Sequence, residues 1–526
     1  MDAPVPTADV PLPDDVPTLQ AMVRELLAEV KRLRAENAAL QSKLDGVLKQ
    51  RAGRRSERRR RKPGRGDDQP APKHDPHGRS VLPEHLPRHE VIHDLTAAEK
   101  LCPCCGRPRV CIGDQKAEQA ELEPARLYVL RTIKKTYACQ HCDPAAVPAE
   151  QRIQTAGPAQ VGPLAKGLCG PGLLAHIITG KFADHNPLHR QVGQLARSGL
   201  TLAVSTLGDW MAAAARLFAP LEAAMRQQVL LSRAIHSDDT SVRLRVLGAD
   251  RTYKSYLWAY IGDADHPYVV FDFTTDHTAT GPQGFLKDYQ GYLHADALAQ
   301  YEELYRGGGV KHCCCWAHSR RKFVAAVEAG DERGNTALDL IGQLYVIERE
   351  LPPLLPPSAD PLAREQRRQR EEERRQVRQL QALPVLTALK KWLDEQRPQV
   401  LPKSALGQAI SYALNNWAAL ERYVEQGYLS IDNNLSERTL RAIALGRNNW
   451  GVIGSAAAGK TAAVLYTLVG TCKHLGIDPF VYLREALMGL FALGEKPTEE
   501  QVREWLPDRW LLRRGRESPV GTAKAS

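Results

Sequence analysis

The sequence lacks any apolar run that approaches the roughly 20 residues a helix needs to cross a bilayer. Its first residues, MDAPVPTADVPLPDDV, are acidic and rich in proline, and they lack the apolar core of a secretory signal peptide. These absences exclude membrane-spanning proteins. We therefore expect a soluble protein of the cytoplasm with no membrane partner.

Charge and cysteine content indicate what the chain binds. The 526 residues suffice for several domains, and the net charge of +10 is concentrated in a few segments, which suggests a polyanionic partner. The 11 cysteines are odd in number and clustered. Metal binding or free thiols are therefore favoured over a disulfide framework.

Apolar residues recur at every seventh position near the N-terminus, with a second apolar series between them. The two series are Leu19, Leu26, Leu33, Leu40 and Val47, and Val23, Val30, Asn37 and Leu44. This pattern predicts a coiled coil over residues 19–50, after a disordered segment 1–18. Asn37 at a core position favours a parallel dimer, so we expect a homo-oligomer. A single amphipathic helix packed on its own domain is the alternative.

A basic segment, RAGRRSERRRRKPGRG, follows the heptads directly. Like charges at this density repel one another, so residues 51–85 are predicted to form a disordered linker that binds phosphates. A solvated tail is the alternative, and a basic zipper does not fit because its basic helix precedes the zipper. The candidate DNA-binding residues here are Arg54, Arg55, Arg58, Arg59, Arg60, Arg61 and Lys62.

Two CxxC pairs lie in the next segment, residues 86–160. Each pair places two thiolates on one side of a tight turn, and two such pairs complete a tetrahedral zinc site. The predicted ligands of a structural Zn²⁺ are Cys102, Cys105, Cys139 and Cys142. Cys104, Cys111 and His141 are further candidates, and unrelated thiols are the alternative.

Residues 161–230 read as three amphipathic helices, the second closed by Gly199. Two short helices joined by a tight glycine turn suit a helix-turn-helix-like DNA-binding domain. An ordinary helical subdomain agrees equally well with this pattern.

After Arg233 the periodicity changes to three strand-like runs, a short helix and a fourth strand. This is the opening order of an RNase H-like fold, in which Asp238 lies on the first strand and Asp296 at the end of the neighbouring fourth. Glu437, on a helix that Asn433 and Asn434 suit as a start, would complete a cage of carboxylates. Such a cage holds two Mg²⁺ or Mn²⁺ ions for phosphodiester chemistry.

The fold class predicted from these segments is multidomain α+β. It comprises the coiled coil, a small zinc-binding domain, a helical DNA-binding domain and an RNase H-like α/β catalytic core with a helical insertion. The core has a first part at 231–322, the insertion at 323–425, a second part at 426–490 and a tail at 491–526.

Four blocks carry a resemblance that extends over nearly the whole chain: HSDDTSVRL, HADALAQY, CCWAHSRRKF and DNNLSERTLRAIALGRNNW. They resemble the successive signatures of the insertion-sequence-sixty-six family, the TnpC type of DDE transposase. The zipper-like N-terminus, the CPxCG segment and GLLAHII, PLHRQ and TLGDW resemble it too. The resemblance implies a transposase that cleaves and joins DNA, with element ends and target DNA as partners and possible accessory proteins of the same element.

Carried over by position, the family's acidic triad falls on Asp238, Asp296 and Glu437. The first block usually reads DET, which makes Asp239 a competing assignment. The second usually reads DGY, where this chain has Asp296 followed by Ala297 and Leu298.

Basic residues flank the carboxylates in the sequence. Those expected to hold DNA phosphates near the metals are Arg320, Arg321, Lys322, Arg438 and Arg441. A charged rim of ordinary helix is the alternative.

The stretch GSAAAGKT, Gly454 to Thr461, fits the phosphate-binding pattern GxxxxGK[ST]. A P-loop is followed by further strand and helix units, and the remaining residues read as helices and a tail, which leaves no room for that sheet. In the family the stretch corresponds to a Gly/Ala-rich turn. A P-loop ATPase and a zinc-containing DNA-binding regulator without catalysis are the two alternatives to a transposase.

Overall fold

The computed structural model describes residues 169–246 and 248–517 continuously, with short pieces at 30, 32, 127–129, 136–138, 153–155 and 162–164. The chain divides after Pro124, and the description from Leu127 onward concerns the second unit. The predicted coiled coil, apart from two residues, and the basic linker and zinc-binding cysteines lie outside the described residues. Within the described ranges, no helix is long and apolar enough to cross a membrane.

Three helices precede the main sheet at the positions the sequence predicts: α1 (Pro171–Phe182), α2 (Leu188–Arg197) and α3 (Val204–Leu230). After α2, Gly199 adopts φ 90°, and the amide of Leu200 donates to the carbonyl oxygen of Leu195 at 2.9 Å. This is the glycine-closed helix end that the sequence predicts. Ahead of α1, strands β1 (Thr136–Ala138) and β2 (Ile153–Thr155) pair antiparallel.

The main sheet has five strands: β3 (Ala234–Arg245), β4 (Thr252–Ile261), β5 (Val269–Thr274), β6 (Gly291–His294) and β7 (Val310–Cys313). Their spatial order is β5-β4-β3-β6-β7. The first three strands are antiparallel, whereas β6 runs parallel to β3 and β7 runs parallel to β6. Two short helices, α4 (Thr280–Leu286) and α5 (Glu302–Arg306), connect β5 to β6 and β6 to β7.

A helical layer follows β7. It contains α6 (Trp316–Glu328), α7 (Gly334–Glu350), α8 (Pro361–Val377), a π-helical turn (Arg378–Ala382), α9 (Leu383–Gln396), α10 (Ala405–Asn415) and α11 (Trp417–Glu421). Apart from α8, which has no buried residue, these helices contribute to a second hydrophobic core that also includes Ala234, Tyr292 and Cys313 of the sheet. The fully buried Arg378 guanidinium forms a two-point ion pair with Glu348 at 2.7 and 2.8 Å, which satisfies its charge there.

The described residues after the helical layer form five α-helices: α12 (Asn434–Trp450), α13 (Ala456–His474), α14 (Pro479–Ala492), α15 (Glu499–Arg503) and α16 (Pro507–Glu517). Helix α13 packs on β5, where Gly459 lies so close to Phe273 that a Cβ atom would fall 2.4 Å from its ring. Buried residues of α1 to α3, the sheet and α12 to α16 form one hydrophobic core. This core includes residues on both sides of residue 230, where the sequence suggests a domain boundary.

The GSAAAGKT segment is mostly helical. Helix α13 begins at Ala456, and the Ser455 hydroxyl accepts from the amide of Ala458 at 3.1 Å as its cap. The amide of Gly459 donates within the helix to the carbonyl of Ser455 at 3.0 Å, so it is not free to bind phosphate. The expectation of a Gly/Ala-rich turn over this whole stretch is therefore wrong, because the alanines continue the helix.

Candidate active site

Asp238 on β3 and Asp296 just after β6 lie near the same edge of the sheet. In the parallel pair β3 and β6, His236 lies opposite His294, and their rings stack with centroids 4.3 Å apart. Asp238 follows His236 by two residues within β3 and therefore shares its face of the strand. Asp296 follows His294 by two residues, beyond the end of β6.

Glu437 lies in the first turn of α12, whose start is held against β3 by Asn433. The fully buried Asn433 donates through Nδ2 to the carbonyl oxygen of Ser237 at 2.8 Å. Its Oδ1 lies 3.0 Å from Nδ1 of His236. Asn433 was expected as a helix cap, but its side chain makes no cap hydrogen bond because these contacts with β3 occupy it.

Asp238 is affected by the neighbouring carboxyl groups. Its pKa is raised to about 7, chiefly by burial and also by the negative charges of Asp239, Glu437 and Asp296, against a hydrogen bond from the Asp239 amide that lowers it. Side chains of Asp296 and Glu437 are 26% and 29% exposed, so solvent and substrate reach them. Carboxylates that converge in this way are stabilised by a bound cation.

His318 on α6 lies between two of the carboxylates. Its Nε2 is 3.4 Å from Oε1 of Glu437 and 3.7 Å from Oδ2 of Asp296, while its buried Nδ1 has no hydrogen-bond partner among the described groups. The donor atoms of Cys315, His318 and Glu437 lie within 4.8 Å of one another. The carboxylate of Glu437 suits Mg²⁺ or Mn²⁺, whereas the imidazole of His318 and the thiol of Cys315 are donors that suit softer metals such as Zn²⁺.

Asp239 has a different environment from Asp238. Consecutive residues of a strand face opposite sides of the sheet. The Oδ1 atom of Asp239 lies 3.1 Å from Nε2 of His277, whose ring stacks on Tyr256 with centroids 4.0 Å apart. This histidine lowers the pKa of Asp239, although burial raises it overall. The structure thus groups Asp238, and not Asp239, with Asp296 and Glu437.

Tyr412, a residue of the helical layer, contacts the carboxylates of the site. From α10, its hydroxyl donates to Oδ1 of Asp296 and lies 3.5 Å from Sγ of Cys314. The ammonium group of Lys322 lies 4.5 Å from the centre of the tyrosine ring, a cation–π contact. Sequence reasoning did not identify Tyr412 because nothing near it in the chain marks it. Cys315 and His318 were also missed, although a CxxH spacing at a helix start was a usable signal.

The predicted basic residues near the carboxylates lie at the rim of the site. Arg320, Arg321 and Lys322 are exposed on α6, and Arg438 and Arg441 are exposed on α12. Nη2 of Arg321 lies 3.4 Å from both carboxylate oxygens of Glu437. The basic residues of 54–62 and the four cysteines predicted to bind zinc lie outside the described residues.

Comparison with known proteins relates this geometry to a family. Residues 166–461 match the family described as "Transposase IS66 family", and residues 99–143 match the "zinc-finger binding domain of transposase IS66". The chain is 30% identical over 443 residues to the uncharacterized protein y4jD of Sinorhizobium fredii, covering 82% of this chain and 81% of that protein. It is 28% identical over 543 residues to the uncharacterized protein y4qI of the same organism, covering 92% of this chain and 95% of that protein.

The match to the transposase family model extends over more than half of the chain. The chain therefore belongs to the IS66 family of transposases.

Proposed function

We propose that this transposase cleaves and joins the ends of its mobile element at Asp238, Asp296 and Glu437. The observation that carries the proposal is the convergence of the three carboxyl groups from β3, the end of β6 and the first turn of α12. The order of elements supports it. Three antiparallel strands followed by two parallel ones, with β6 beside β3, is the arrangement expected of an RNase H-like core.

We further propose that Asp238, Asp296 and Glu437 hold two divalent metal ions, Mg²⁺ or Mn²⁺, with His318 beside them. Bound metal would supply the charge that activates an attacking oxygen and stabilises the leaving oxygen in an in-line displacement. The hydroxyl of Tyr412 orients the Asp296 carboxylate. Arg320, Arg321 and Lys322, together with Arg438 and Arg441, are placed to hold phosphates of the scissile strand.

Two displacements would account for transposition. Attack of water on the phosphodiester at the element's end breaks the bond to the 3′-oxygen and releases a 3′-hydroxyl group. That hydroxyl then attacks a phosphodiester of target DNA, forms the new bond and releases a 3′-hydroxyl on the target strand. Neither step requires an external oxidant, reductant or nucleotide.

DNA binding is assigned to other parts of the chain. The zinc-finger domain, with Cys102, Cys105, Cys139 and Cys142 as the proposed zinc ligands, and the helices α1 to α3 would recognise element ends. The basic linker from Arg54 to Lys62 would contact phosphates without sequence preference. A dimer formed through residues 19–50, working in the cytoplasm with accessory proteins of the element, completes the proposal.

A zinc-containing regulator without catalysis would need none of the three carboxyl groups to converge. Desolvating Asp238 beside two other acids costs free energy, and a regulator gains nothing from it. The test is cleavage of DNA that carries the element's own ends by purified protein with Mg²⁺, with Mn²⁺ and with EDTA. Cleavage at the ends with either metal, abolished by EDTA, supports the proposal. Sequence-specific binding with no cleavage under any metal supports the regulator.

A further inference from the structure

The distal half of the β3–β4 hairpin extends beyond the rest of the sheet. Strand β6 pairs with β3 only over Ala234–His236, and β5 pairs with β4 only over Tyr256–Ile261. Beyond those pairs, β3 and β4 continue together to the pair Arg245 and Thr252. In this extension β3 and β4 pair with each other without β6 or β5 beside them.

One face is buried and the other carries cations. Val242 and Leu244 are 2% and 3% exposed and belong to the core. Arg243 and Arg245 alternate with them and are exposed, and Lys254 is exposed directly opposite Arg243. We call Arg243, Arg245 and Lys254 the basic hairpin face.

The pairing of like charges on this face needs an explanation. Like charges directly opposite each other on neighbouring strands destabilise the pair. Lys254 is partly compensated: its charge lowers the pKa of Asp239, and its ammonium group lies 5.4 Å from the centre of the Tyr256 ring. Among the described residues, Arg243 and Arg245 form no salt bridge with a carboxylate, so the charge of these two guanidinium groups favours an anionic partner.

The backbone beneath the cations is held in place. The amide of Arg245 donates to the carbonyl of Ile453 at 2.8 Å, and the amide of Ile453 donates to the carbonyl of Arg243 at 2.8 Å. These bonds give β3 a partner along the edge that β6 leaves open. The cations are thus presented on a fixed surface, which lowers the entropic cost of binding an extended ligand.

We propose that the basic hairpin face binds the phosphate backbone of duplex DNA, at a segment separate from the phosphate held at the carboxylates. Arg243 lies five residues from Asp238 along β3, which is about 17 Å, or about five base-pair steps of duplex. Asp238 faces the opposite side of the strand, so this contact lies away from the carboxylates. Guanidinium groups suit two-point contacts with phosphate. The proposal rests on DNA being the partner but not on the assignment of the carboxylates.

The test is the variant R243Q/R245Q/K254Q in the full-length protein, with binding to duplex DNA measured by fluorescence anisotropy over a salt series in EDTA. Each lost phosphate contact reduces the slope of log K against log salt by about 0.9, so we expect a reduction of about 2 to 3. The matched control is R368Q/R375Q/K390Q, which removes the same charge from the exposed Arg368 and the partly exposed Arg375 and Lys390, paired with Glu365, Glu372 and Asp394. Its slope should change by less than about 0.5.

A second variant separates binding from folding. Arg243→Gln removes the like charge opposite Lys254 and leaves the contacts of Lys254 with Asp239 and Tyr256 in place, so its thermal midpoint should equal or exceed that of wild type while its slope falls by about 1. Equal salt slopes for wild type and R243Q/R245Q/K254Q, or an equal reduction of the slope in that variant and its control, would overturn the inference about the basic hairpin face. Neither result would affect the proposed transposase function. A wild-type protein that binds no DNA would overturn the transposase function as well.

Discussion

Asn433 joins the strand of Asp238 to the helix of Glu437 through His236. Its Oδ1 lies 3.0 Å from Nδ1 of His236, and its Nδ2 donates to the carbonyl of Ser237 at 2.8 Å. Asp238 follows Ser237 directly, and Glu437 lies one helical turn after Asn433. One buried carboxamide therefore fixes the relative position of two of the proposed metal-binding carboxylates.

Asn433→Leu should destabilise the protein and disorganise the site. It leaves His236 Nδ1 and the Ser237 carbonyl without partners in a buried place, at a cost of about 1 to 3 kcal/mol for each unsatisfied group. Denaturant unfolding measures the loss, and cleavage is measured under conditions where the variant remains folded. Asn434→Ala is the control, since the Asn434 side chain bonds only to Asp432. Equal stability of the two variants would contradict the bridging role of Asn433.

Asp238→Asn should make the metal-free protein more stable above neutral pH. Because burial and neighbouring charges raise the folded-state pKa of Asp238 to about 7, the folded state holds a proton that the unfolded state releases near its ordinary pKa. Wild-type stability therefore falls as pH rises through this window, and the asparagine variant lacks that fall. In EDTA at pH 8 we expect the free energy of unfolding of Asp238→Asn to exceed that of wild type by roughly 1 to 3 kcal/mol, and we expect this difference to disappear by pH 4. Denaturant unfolding at the two pH values measures it. A pH-independent difference would contradict this account of the site.

Much of the site was predictable from local pattern. The order of elements predicts Asp238 on the first strand of the sheet and Asp296 at the end of the neighbouring fourth, and in the structure β3 and β6 are neighbours with Asp296 two residues beyond β6. The start of α12 near Asn433 follows from the preference of Asn for helix termini. These inferences succeed because they depend on short-range periodicity.

The parts of the site that could not be predicted from the sequence depend on packing between segments that are distant in the chain. Tyr412 reaches Asp296 across 116 positions of the chain, and its neighbours in sequence give no sign of this contact. Asn433 stands at the helix start that the sequence predicts, but local propensity cannot show that His236 takes its side chain away from capping. The stretch GSAAAGKT illustrates the converse, since its alanines favour a helix more strongly than its glycines favour a phosphate-binding loop.

Purified protein should contain one structural zinc per chain, because the zinc-finger match covers both CxxC pairs. Elemental analysis measures the metal, and Cys102→Ser with Cys139→Ser should lose it together with the local fold. Cys111→Ser, outside the CxxC pairs, is the control and should retain the zinc. A folded zinc-finger domain without stoichiometric zinc would be the contrary finding.

Replacing Arg320, Arg321 and Lys322 by Ala should lower cleavage far more than stability. Two of these side chains contact the site, since Arg321 lies 3.4 Å from Glu437 and Lys322 covers the Tyr412 ring. We expect cleavage to fall by roughly 100-fold and the free energy of unfolding to change by less than about 1 kcal/mol. Cleavage rates and unfolding curves of the same preparation give both numbers. Parallel losses of activity and stability would instead indicate an ordinary charged rim.

The most direct test compares Asp238→Asn with Asp239→Asn in cleavage of the element's ends. The two neighbours face opposite sides of β3, and only Asp238 is grouped with Asp296 and Glu437. Both substitutions keep the shape of the side chain, and DNA binding in EDTA should match wild type in each. We expect Asp238→Asn, like Asp296→Asn and Glu437→Gln, to reduce metal-dependent cleavage at least about 100-fold, while Asp239→Asn stays within about tenfold of wild type. Full cleavage by Asp238→Asn with loss in Asp239→Asn would contradict it.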